Sequence, residues 1–133
     1  MKCTMSRFVA LAFALVWAAA PVSAHHSFAA QYDAKQPITF TGTVMKMEWQ
    51  NPHIFFYVDV KDASGKVMNY AVEGGPPNTL YRSGWRKDTI KIGETVTVEG
   101  SKAKDGSNLV NARSVVMANG KRVFAGSSEN VAR

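Results

Sequence analysis

Breakers cut this chain into short β-forming pieces, and that punctuation constrains its fold more than any other feature. Thr39 to Trp49 is rich in threonine, valine and methionine, and Asn51-Pro52 interrupts it, because proline has no N–H to give a ladder. From His53 to Val60 the residues alternate. Ile54, Phe56, Val58 and Val60 share one face of a strand, and His53, Phe55, Tyr57 and Asp59 share the other. Asp62-Ala63-Ser64-Gly65-Lys66 reads as a hairpin loop, and Val67 to Glu73 returns as a third strand. Gly74-Gly75-Pro76-Pro77 then ends regular structure.

A short helix is expected next, with Asn78 as its N-cap, an apolar face from Leu80, Tyr81 and Trp85, and a stop at Gly84. Ile90 to Glu94 turns into a fourth strand, Thr95 to Gly100. Lys104-Asp105-Gly106-Ser107 is a second hairpin signal, leading into a fifth strand from Leu109 to Met117. Asn119-Gly120 precedes a short strand from Arg122 to Phe124, and Gly126 to Arg133 reads as a frayed end.

Three strands, a helix and two strands is the order of an OB-type domain. The fold class expected is therefore all-β, a small five-stranded Greek-key barrel with one short helix between strands three and four. Gly42 would be the kink that lets a long first strand serve both sides of the barrel. Val44, Ile54, Phe56, Val58, Val72, Val96, Val98, Val110 and Val116 are the expected core. An open β-sandwich is the main competitor, since periodicity alone does not separate the two.

The first 24 residues read as a secretion signal. Lys2 and Arg7 make a positive start, Phe8 to Ala20 is apolar, and Val22-Ser23-Ala24 is the small-residue pattern for cleavage. The apolar run is shorter than the roughly 17–25 residues of a membrane span. Cleavage after Ala24 would leave residues 25–133 as one periplasmic domain with an extended N-terminal segment. The net charge would fall from +6 to +4 with the loss of Lys2 and Arg7. Cys3, the one cysteine, would go too, so neither a disulfide nor a thiolate nucleophile is available to the processed protein.

Several strings carry a family likeness: His25-His26-Ser27-Phe28, Phe40-Thr41-Gly42-Thr43-Val44, Trp49-Gln50-Asn51-Pro52-His53, Gly74-Gly75 with Asn78, Gly84-Trp85, Val96 to Gly100 and Lys104 to Ser107. Together they resemble a family of small exported bacterial proteins of unknown function. The resemblance covers nearly all of the processed chain. It implies an exported single domain with an OB-like barrel, and it implies no activity.

Cleavage before His25 would create a chemically unusual terminus. A first-position histidine presents its backbone amine beside its imidazole, a bidentate nitrogen chelator. With one nitrogen of His53 it would make a three-nitrogen brace of the kind that suits Cu(II). His26 is the remaining histidine, and on an extended chain its side chain points away from that of His25, so it is at most a secondary ligand. Against this stands the plainer reading, a loose terminus and a histidine that caps a turn. Met45 and Met47, two residues apart, would share a strand face and could offer thioethers to Cu(I), though packing in the barrel is the simpler role.

Other chemistry is not indicated. The aromatic residues Trp49, Phe55, Phe56, Tyr57, Tyr70 and Tyr81 could form a single-strand nucleic-acid platform, but an exported protein rarely meets nucleic acid. Phe55 and Tyr57 are either a ligand patch or a face covered by other parts of the chain. No nucleophile elbow, phosphate loop or metalloprotease motif is present, and Asp33, Asp59, Asp62 and Glu73 suggest no carboxylate pair. The sequence thus points to an exported, monomeric, non-enzymatic binding or accessory module for a small ligand or a periplasmic protein. The alternative is a periplasmic copper-binding protein using His25, His53 and, less centrally, His26.

Overall fold

A computed structural model describes residues 27–126. It contains α1 (Ser27–Gln31), β1 (Tyr32–Glu48), β2 (Phe55–Lys61), β3 (Val67–Glu73), α2 (Pro77–Arg82), β4 (Thr95–Ala103), β5 (Leu109–Met117) and β6 (Arg122–Phe124). The strands lie in the order β3-β2-β1-β4-β5-β6, and a parallel pairing of β3 with β5 joins the two ends. Five strands therefore close into the expected barrel, with α2 between strands three and four.

One long strand makes the closure possible. Tyr32 to Thr43 of β1 pairs with β4, and Thr43 to Glu48 pairs with β2. The handover falls at Gly42, the expected kink. A Cβ there would press into the Asp59 carbonyl oxygen and Val58 Cγ1, so only glycine lets β2 approach this closely.

Eight of the nine expected core residues are buried, from Val44 through Val110. The ninth, Val116, is not. Between Gly100↔Ala112 and Glu99↔Ser114 the ladder gains one residue on β5, Arg113. A one-residue bulge reverses which side chains face inward. Val115 and Met117 consequently join the core, and Val116 turns partly outward. A similar bulge lies in β1, where Val44 pairs with Val58 but Lys46 pairs with Tyr57, leaving Met45 over. That slip separates Met45 and Met47. Met45 is half exposed, while Met47 packs against the core. The expectation of two thioethers on one face is corrected accordingly.

The strand itself also begins seven residues earlier than the residue pattern suggested, and α1 replaces part of the extended lead. Polar and charged residues from Asp33 to Gln36 masked this strand, because it bulges there. Between Asp33↔Lys102 and Pro37↔Ser101 three extra residues loop out, gathered by the Asp33 carboxylate, which accepts from the Lys35 N–H (2.9 Å) and the Gln36 amide (3.2 Å).

Helix α2 starts at Pro77, with Pro76 rather than Asn78 in the capping position. Proline suits the first helical turn, since its missing N–H would have had no intrahelical partner. Leu80 and Trp85 sit in the core, as does Ile90, so the helix and the turn after it plug one end of the barrel. Tyr81 is instead exposed, with the Arg86 guanidinium 3.9 Å from its ring centroid. Among the described residues no helix is long and apolar enough to cross a membrane.

Candidate functional site

Residues adjacent to core positions in a strand face outward, and most outward positions here meet solvent. Glu73 and Asn111 do not. They are paired across β3 and β5, next to the inward Val72 and Val110, yet are only 8% and 6% exposed. Tyr32, itself 2% exposed, donates its hydroxyl to Glu73 Oε2. The start of β1 therefore lies over the outside of the barrel at this point. Burial and the neighbouring Glu73 push the Tyr32 phenol far above its usual value, so it remains a protonated donor.

The other oxygen of the same carboxylate holds His53. Nδ1 lies 2.6 Å from Glu73 Oε1, and the imidazole is about one-third exposed. Backbone bonds fix this corner: Gly74 N–H donates to the Ile54 carbonyl (2.9 Å) and Ile54 N–H to the Gly75 carbonyl (3.2 Å). An ionised carboxylate only accepts, so Nδ1 carries the proton and Nε2 is the nitrogen directed elsewhere. A carboxylate on one ring nitrogen is the usual support behind a metal-ligating histidine. It is equally the geometry of a simple His–Glu ion pair.

Of the three histidines expected to bind metal, His53 is thus placed and oriented, and His25 and His26 lie outside the described residues. Among the described residues, no group of three or more His, Cys, Asp or Glu side chains converges into a metal site. Tyr32 and Glu73 were missed by the residue pattern. The available hint was a glutamate ending an apolar strand, directly before Gly74-Gly75.

Several other carboxylates serve local structure. Asp62 accepts from the Ser64 hydroxyl and the Ser64 and Lys66 N–H groups, and Asp105 accepts from the Ser107 hydroxyl and N–H; both are held below the usual carboxylate range by these bonds. Asp59 accepts from Asn69 (2.7 Å). On the outer face of β2, Tyr57 is half-buried beneath Lys46, whose ammonium lies 5.2 Å from the ring centroid, and its hydroxyl reaches Glu48 at 3.3 Å. Neighbours in β1 partly cover that aromatic face.

Beside the Tyr32–Glu73 contact opens a cleft of about 440 Å³. Phe28, Ala29 and Tyr32 from the lead form one wall, and Ser101, Asn111 and Arg113 form the other. Lys104 anchors the lead across it. Its backbone N–H donates to the Gln31 carbonyl (2.9 Å) and its ammonium to the Ala29 carbonyl, at the end of α1 where a cation is favoured.

Residues 13–111 match the model of a family of unknown function, DUF6152. The chain belongs to this family. No functionally curated protein matches it. The DUF6152 match spans β1 to β3, α2, β4 and the first residues of β5, and so includes Tyr32, His53, Glu73 and Asn111.

Proposed function

We propose that the protein is exported and works as a binding module rather than an enzyme, holding Cu(II) between its processed amino terminus and His53. The observation that carries this reading is the His53–Glu73 pair, which leaves Nε2 as the ligating nitrogen and braces the ring from behind. Tyr32 adds support, because it meets the same carboxylate and stands seven residues after His25. A chain of that length spans at most roughly 23–25 Å, at about 3.3–3.6 Å per residue, a reach that includes His53. In this reading His25 gives its amine and Nδ1, His53 gives Nε2, and His26 is a secondary ligand. Three nitrogens suit the tetragonal preference of Cu(II).

The test is Cu(II) calorimetry on protein processed to begin at His25, after intact-mass measurement of exported protein has established the start. One extra residue before His25 and His53→Ala should each weaken binding, and His26→Ala should matter less. Glu73→Gln should lower affinity by roughly 10–100-fold through the ring orientation. The α-amino group has a pKa of about 7.7–8.0, so binding displaces a proton and weakens as pH falls. Equal affinity with and without the extra residue would overturn the reading.

A further inference from the structure

We infer that the cleft between the N-terminal lead and β4–β5 is a site for a small organic carboxylate with a flat, apolar body. This deepens the binding-module reading and does not depend on copper. Four observations point the same way.

The first is size. A volume of about 440 Å³ falls within the range of small-molecule sites, roughly 300–1,000 Å³, and far exceeds what an inorganic anion fills.

The second is charge. Lys35, Lys104 and Arg113 line the cleft against a single carboxylate, Asp33. Asp33 is occupied by the Lys35 N–H and the Gln36 amide, and Lys104 by the Ala29 carbonyl. Lys35 makes no ion pair among the described residues. Arg113 is more than half exposed, and its nearest carboxylate oxygen, Glu99 Oε2, is 4.0 Å away. That same oxygen already accepts from Arg122 (2.5 Å) and the Ser114 hydroxyl (2.7 Å). The Arg113 fork is thus only weakly engaged, and its geometry matches a carboxylate bidentately.

The third is the apolar wall. Phe28 and Tyr32 pack at 5.5 Å between ring centroids, tilted by 31°, and Ala29 and Ala34 flank them. Tyr32 is buried and backs Phe28 from behind, and its hydroxyl is committed to Glu73. The fourth is how the residues are held. Arg113 is the extra residue of the β5 bulge, and Lys35 sits in the loop-out of β1. Bulges re-aim side chains, and both of these residues line the one cleft.

The test uses metal-stripped, processed protein and benzoate as probe, followed by calorimetry and by NMR of the aromatic rings. Benzoate should bind saturably in the millimolar range or tighter and shift the Phe28 and Tyr32 ring signals. Lys35→Gln and Arg113→Gln should each weaken it roughly tenfold, the loss of one charged hydrogen bond. Phe28→Ala should weaken benzoate and leave inorganic phosphate unaffected. No saturable benzoate binding, equal affinity for phosphate, or full affinity in the Lys35→Gln/Arg113→Gln double variant would each overturn the inference. Thermal melts of the variants keep folding separate from binding. The Cu(II) titration is run independently on the same protein, so loss of the carboxylate site and loss of the copper site are read separately.

Discussion

Removing a single oxygen atom, in Tyr32→Phe, tests how the lead is tied to the barrel. The ring stays buried and no cavity larger than the hydroxyl opens, so the change isolates one hydrogen bond to a buried carboxylate. Bonds to charged groups contribute about 1.5–3 kcal/mol. Glu73 keeps His53 as a partner, so the lower half of that range, about 1.5–2 kcal/mol, is expected. For a domain of this size that corresponds to a fall in Tm of roughly 6–15 °C. Urea unfolding followed by tryptophan fluorescence, with Trp85 buried as reporter, should show a lower midpoint and an unchanged slope. Hydrogen exchange should accelerate most in residues 28–36, since the lost bond joins this segment to β3. A Tyr32→Phe protein within about 0.5 kcal/mol of the parent, with unaltered exchange in the lead, would refute the argument that this bond holds the lead in place.

The bulge in β5 predicts that Val115→Ala costs about 2–3 kcal/mol and Val116→Ala less than 1, measured by urea unfolding; the reverse order would mean the strand keeps strict alternation. At Gly100 a Cβ would collide with the Asn111 carbonyl oxygen, a backbone atom with little room to retreat, so Gly100→Ala should cost at least 1–3 kcal/mol and show as a lower Tm. Arg122 and Ser114 hold the Glu99 carboxylate below its ordinary value of 4.5. A depressed carboxylate contributes stability that is fully present above the unfolded value and lost as pH falls below it. The acid limb of Tm against pH should therefore be flatter in Glu99→Gln, and an identical acid limb would count against the Arg122 contact.

Much of the fold was legible locally. Alternation in Ile54 to Val60 and in Thr95 to Gly100, with breakers at Pro52 and Gly74 to Pro77, settles strands, loops and the inward faces without reference to anything distant, because each depends on neighbours in the chain. Gly42 belongs here too, as a residue with one good reason to sit mid-strand. The site was less legible. His53 could be named from the sequence, since histidines are few, but nothing near it in the chain says that its partner is Glu73, twenty residues on, or that Tyr32 shares that partner from forty-one residues away. Closing β3 against β5 and laying the lead over the join brings these side chains together and takes Tyr32 and Glu73 out of water. The same holds for the bulges at Met45 and Arg113. A strand's register is set by the partner it pairs with, so the residues that turn outward there were decided by tertiary pairing and not by the order of the residues alone.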